Sequence, residues 1–126
     1  MTIILLAAVG SAGGCATLSA NIPVAQLSQP LKSALTAGEI GQGLDERAIT
    51  MAANTEYRAL EAGKTGATVV WRESGKVYGS VTPQQPYAVG ATNCRRYTQM
   101  VSVNGKVTTG MATACRSNDG VWAPLS

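Results

Sequence analysis

The residues with the widest chemical reach in this chain are its three cysteines, Cys15, Cys94 and Cys115. A thiolate can attack a disulfide, bind a soft metal or accept an acyl group, and its surroundings decide which. The surroundings here remove several options. The 126 residues contain no histidine, so no Ser-His or Cys-His nucleophile pair and no imidazole metal site can be built. There is no CxxC pair, and a zinc site would need ligands the chain does not offer. No nucleophile with its base, no paired carboxylates and no phosphate loop can be assembled. The expectation is a protein with no catalytic residues, no metal and no cofactor.

Cys15 follows a short apolar run, Ile3 to Val9, and the small residues Ala12-Gly13-Gly14. The run is far below the roughly 20 residues needed to span a bilayer, so it reads as the core of a signal peptide. Ala12-Gly13-Gly14-Cys15 is similar to a bacterial lipobox, in which small residues admit a peptidase and the cysteine is acylated before it becomes the new amino terminus. Residues 1–14 are then a lipoprotein signal peptide and Cys15 the lipidation site. Ala12 stands where the pattern prefers Leu, and only Met1 and Thr2 precede the apolar run. The competing reading is a short apolar helix with a buried free thiol. Acylation of Cys15 would leave one cysteine pair for an oxidising compartment.

That pair flanks Asn104-Gly105, the dipeptide that best tolerates the two positive φ angles of a type I′ hairpin turn. With the two residues at the turn centre, facing residues have numbers summing to 209, as do Cys94 and Cys115. They stand nine steps from the turn, at a non-hydrogen-bonded pair, where Cα atoms approach to about 4.5 Å and a disulfide is accepted. A β-bulge between turn and cysteines would remove the match. Two free thiols are the alternative in a reducing compartment.

The elements that must hold these cysteines begin with a helix. Asp45 is a good N-cap, Glu46 suits the positive end of the helix dipole, and Leu44 and Ile49 have the spacing of a hydrophobic staple. The helix should run to Ala62 and end on a left-handed Gly63. Leu44, Ala48, Met51, Thr55, Ala59 and Ala62 form a stripe of small residues suited to a sheet, while Ile49, Tyr57 and Leu60 lie beside it. Either the buried face is broad or the helix also touches the preceding segment. That segment, 15–43, is rich in Ala, Ser, Gly and Gln, with Pro23 and Pro30 as breakers, and reads as a lipidated flexible tether with a short helical piece from Pro30 to Leu35.

From Ala67 onward the chain reads as strand and turn. A two-residue turn at Ser74-Gly75 would set Glu73 opposite Lys76 and Trp71 opposite Tyr78. Pro83 and Pro86 make 82–88 a connection or bent edge, and Ser117-Asn118-Asp119-Gly120 turns the chain into a last strand, Val121 to Leu125. The fold class is therefore α+β: one helix on an antiparallel sheet of about five strands, in a domain spanning 44–126 after signal peptide and tether.

The net charge of +3, from 10 basic and 7 acidic residues, is spread without the dense basic run of a nucleic-acid binder. Arg95 and Arg116 alternate onto one sheet face and Arg96 onto the other, which reads as solvated surface. The alternative is contact with anionic headgroups or polysaccharide.

Asp45-Glu46-Arg47, VVWRESGKVYGSVTP, NCRRYTQ and GMATACRSNDGVW together resemble the carboxy-terminal domain of the bacterial seventeen-kilodalton surface antigens, outer-membrane lipoproteins, over about residues 40 to 126. The resemblance implies a non-enzymatic lipoprotein fixed by its acyl chains in the outer membrane, facing the periplasm or the exterior. Many members carry a glycine-zipper segment before this domain. Here only AGEIGQGL, residues 37–44, stands at that place, so the chain resembles a short form held by lipid. The expected partners are the membrane and an envelope protein or polysaccharide; nothing sets an oligomeric state. The alternative function is a periplasmic inhibitor or accessory subunit of an envelope enzyme or secretion complex, docking through the Ser74-Gly75 and Asn104-Gly105 turns. An exposed apolar patch at Trp71, Tyr78 or Tyr97 would favour it.

Overall fold

Asp45 begins the main helix as its chemistry requires: its carboxylate accepts the Ala48 N–H at 2.8 Å and its backbone is extended. In the computed structural model, which describes residues 22–125, this helix is the third of three. They are α1 (Val24–Leu27), α2 (Gln29–Ala37) and α3 (Glu46–Ala62), with a 3-10 turn, Glu39–Gly41, between α2 and α3. Gly63 ends α3 without the left-handed backbone expected of it, at φ −72° and ψ 144°. Glycine is needed there for space, because a Cβ would stand 2.5 Å from the Ala59 carbonyl oxygen and 3.0 Å from the Pro83 ring.

The segment before α3 departs from the tether reading. Val24–Leu27 and Gln29–Ala37 are helical, joined at Ser28, and Leu27, Leu31 and Leu35, spaced four apart, all turn inward. Pro30 does not break α2; it occupies the first turn, where its missing N–H costs nothing. α2 lies beside α3 and reaches the last strand of the sheet, and Leu31 and Leu35 join the main core. Ser28 Oγ donates to Asn54 Oδ1 at 3.1 Å, and Lys32 pairs with Glu46. The two buried arcs of α3 are thereby explained: it is covered by the sheet on one side and by the earlier helices on another. The polar composition that reads as a linker conceals three leucines at helical spacing, enough to bury one face.

Six antiparallel strands form one sheet: β1 (Val69–Arg72), β2 (Val77–Pro83), β3 (Tyr87–Val89), β4 (Thr92–Val103), β5 (Lys106–Arg116) and β6 (Trp122–Pro124). Their order is β1-β2-β4-β5-β6, with β3 continuing the β2 edge of β4. The α+β class expected from the sequence is observed, with one main helix packed against this sheet. In the long hairpin, Asn104 (φ 51°) and Gly105 (φ 87°) take the positive φ angles of the turn. Every β4–β5 pair from Val103↔Lys106 to Asn93↔Arg116 keeps the sum of 209, without a bulge.

The first hairpin is shifted by one residue from its expected register. Trp71 faces Gly79 and Arg72 faces Tyr78, and the N–H groups of Glu73 and Ser74 both reach the Val77 carbonyl around a three-residue loop. The reason lies in the core. A Cβ on Gly79 would be 2.7 Å from the Trp71 ring, so the indole rests on bare backbone and is buried. The expected register would put Tyr78 beneath it. Tyr78 instead lies on the other face, with the Arg72 guanidinium 4.7 Å from its ring centre.

Candidate functional site

The cysteine pair stands where the hairpin arithmetic places it. Cys94 faces Cys115, their Cα atoms are 4.0 Å apart, and the structure closes a disulfide between them. Strand alternation puts both sulfurs on the sheet face away from the helices, between Tyr87, opposite Cys94, and Ala123, opposite Cys115. Cys94 is fully buried. The bond lies across a strand ladder, not at a helix N-terminus, which makes it a structural clamp rather than a redox pair.

The residue after each cysteine points the other way, toward the helices. Arg95 and Arg116 share a face, as alternation requires, but that face is the packed one. Arg95 is 4 % exposed and does not lie on a solvated surface. Its Nε donates to the Gln84 carbonyl at 3.0 Å, and its Nη1 donates to Ala59 O at 3.2 Å and Leu60 O at 3.0 Å. The guanidinium thus satisfies last-turn carbonyls of α3 and sets a cation at the negative end of that helix.

Arg116 holds Glu61 by two hydrogen bonds, Nε to Oε1 at 2.9 Å and Nη2 to Oε2 at 3.3 Å, and Trp122 Nε1 donates to the same Oε1 at 2.9 Å. Burial works against ionisation of Glu61, but the donors outweigh it and its pKa falls below the usual carboxylate value. Leu60, Glu61, Pro86, Asn93, Arg95, Arg116 and Trp122 surround a cavity of about 230 Å³. Its charged walls are spent on one another and on backbone carbonyls, leaving a staple between the end of α3 and strands β4, β5 and β6.

A third feature had no counterpart in the sequence reading. Glu56, midway along α3, is 2 % exposed and is hydrogen-bonded to the Tyr97 side chain on β4, while its Oε2 has no partner among the described residues. Burial raises its pKa to about 8, and the Tyr97 hydrogen bond only partly offsets this. Burial, and then the Glu56 charge, push the Tyr97 hydroxyl well above its ordinary value. A helical projection could have found Glu56, since it is flanked in the helix by buried Ala52, Ala53, Ala59 and Leu60.

Trp71 and Tyr97 are buried and Tyr78 is half-buried, so the aromatic patch that would have favoured an inhibitor-like docking surface is not formed by them. Among the described residues there is no group of three or more metal-ligating side chains, and no helix is long and apolar enough to cross a membrane. Cys15, its lipidation and the 1–14 signal peptide lie outside the described residues.

Residues 58–123, which contain the disulfide and both arginines, match the family model described as "17 kDa outer membrane surface antigen". The chain is 45% identical over 87 residues to the 17 kDa surface antigen of Rickettsia bellii (strain RML369-C), covering 67% of this chain and 54% of that protein. It is 41% identical over 83 residues to that of Rickettsia conorii (strain ATCC VR-613 / Malish 7), covering 64% of this chain and 52% of the relative. The chain therefore spans about half the length of the curated relatives it matches. No solved structure matches it.

Proposed function

The chain belongs to the 17 kDa outer membrane surface antigen family, and from that premise we propose that it is a non-enzymatic lipoprotein of the bacterial outer membrane, anchored through acylated Cys15. The family and its relatives are named as surface antigens, which supports a surface protein without catalysis. The anchor rests on the apolar run Ile3 to Val9 and on Ala12-Gly13-Gly14-Cys15. Two or three acyl chains would hold the domain far more firmly than one, whose binding is marginal.

One observation carries the non-enzymatic reading: among the described residues, the buried and semi-buried charged groups of the domain are either engaged in holding it together or enclosed in its core. Arg95 ends α3, Glu61 is shared by Arg116 and Trp122, and Glu56 is enclosed in the core against Tyr97. What remains for an envelope protein or polysaccharide is the broad sheet face away from the helices, where Ser80, Thr82, Thr98 and Thr109 are interspersed with Met100 and the exposed side chains of Val70, Val107 and Met111.

The test is the intact mass of membrane-extracted protein. Loss of residues 1–14 with added acyl chains is expected, and Cys15→Ser should abolish both processing and membrane retention. A mature protein that keeps Met1 and carries no lipid would end the anchor reading.

A further inference from the structure

Among the described residues the sheet has one long unpaired edge. β6 covers β5 only at Ala114, Cys115 and Arg116, and the Thr113 carbonyl is taken by the Leu125 N–H. From Lys106 to Ala112, β5 has a neighbour, β4, on one side only among the described residues. Hydrogen-bond parity tells which groups are free. Val103↔Lys106 closes the two-residue turn and is a hydrogen-bonded pair, so Lys106, Thr108, Gly110 and Ala112 direct their N–H and C=O groups to β4. Val107, Thr109 and Met111 direct theirs outward.

This edge is complementary to itself. Two copies laid antiparallel about a two-fold axis at Thr109 set Thr109 opposite Thr109, and Val107 opposite Met111 twice. Each facing pair consists of residues whose backbone groups are free, so the three pairs would make six backbone hydrogen bonds. The side chains agree. Val107 and Met111, 59% and 72% exposed, are on the face away from the helices and would cover each other across the seam. On the helix face Thr108 meets Gly110 and Lys106 meets Ala112. Lys106 is the single charge in this stretch, and the pairing holds the two copies of it about 20 Å apart at opposite ends. The edge has no proline, bulge or central charge to repel a partner strand. The other edge strand, β1, has four residues and ends on Arg72.

We propose that the Lys106–Ala112 edge of β5 is a self-association surface, through which two copies of this chain join their sheets into one continuous antiparallel sheet. A seam of this length is smaller than a standard protein interface, so the pair is weak and its population follows the local concentration of the protein.

Cysteine crosslinking reads both the association and its register. Purified full chain carrying Thr109→Cys is oxidised with a mild copper oxidant and run on a non-reducing gel beside Val107→Cys and the unaltered chain, which gives the background from Cys15. Position 109 lies on the two-fold axis, whereas two copies of position 107 are about 13 Å apart in this register. Both side chains are exposed on the outer face, so neither change disturbs the core. Thr109→Cys should yield a disulfide-linked dimer at least tenfold faster than Val107→Cys. The double variant Val107→Cys/Met111→Cys, whose cysteines face each other, should also crosslink rapidly. Crosslinking of Thr109→Cys no faster than background, or no faster than Val107→Cys, would overturn the proposal.

Discussion

Replacing Glu56 by Gln tests the most unusual electrostatic feature of the fold. Glu56 goes from a pKa near 4.5 in the unfolded chain to about 8 in the folded one, because burial disfavours its charge. A carboxyl whose folded pKa is raised favours the folded state fully below the unfolded pKa, and that advantage is lost as pH rises from 4.5 toward 8. In this window the unfolded chain releases a proton that the folded chain retains, so stability falls by about 1.4 kcal/mol per pH unit. The accumulated loss is on the order of 3 kcal/mol at pH 7 and 4 kcal/mol at pH 8.

Glutamine keeps the shape and an oxygen for the Tyr97 hydroxyl while removing the titration. Urea unfolding of the full chain with its disulfide intact, followed by Trp71 and Trp122 fluorescence at pH 5, 6, 7 and 8, is the direct assay. The two proteins should differ by less than about 1 kcal/mol at pH 5, and Glu56→Gln should be the more stable by several kcal/mol at pH 8. Parallel stability curves across that range would show that Glu56 is solvated or ionised in the fold, and the reasoning from its burial would fail.

Three further outcomes follow from the packing. Replacing Cys94 and Cys115 together by Ser should lower stability by about 3 kcal/mol, the loop-closure value for a bridge of this span; equal urea midpoints with and without the bond would contradict it. Arg95→Met should cost about 2–4 kcal/mol, because the buried Leu60 carbonyl and the Gln84 carbonyl lose their donor, while Ala59 O keeps the Gly63 N–H. Arg116→Ala, at a half-exposed ion pair, should cost under about 1 kcal/mol, and the order of the two variants in a thermal melt checks the assignment. Gly79→Ala should destabilise by at least about 2 kcal/mol and shift Trp71 fluorescence, since the added methyl meets both the indole and the Met100 carbonyl; a silent substitution would mean that the indole does not rest on Gly79.

The sequence alone determined what local stereochemistry can settle. Asn-Gly allows one tight turn, and its φ angles propagate a register that sets Cys94 opposite Cys115 nine residues away. Asp45 can start a helix because the N–H groups it caps are its own neighbours. Alternation likewise put Arg95 and Arg116 on one face, opposite the cysteines.

Tertiary structure decided which face is covered. Nothing in the period of a strand says on which side the helices will lie, so the same alternation fits a solvated arginine row and a buried staple. The side chosen turned Arg95 into the cap of α3 and enclosed Glu56 against Tyr97. It also drew Leu27, Leu31 and Leu35 out of an apparent tether into packed helices, because leucines at that spacing gain only when a partner surface exists. The one-residue shift of the first hairpin has the same origin: Ser74-Gly75 tolerates more than one loop, and burial of the Trp71 indole over Gly79 selected between them. Backbone constraints act within a few residues and are legible in order along the chain, whereas burial is a property of surfaces that meet only after the chain has folded.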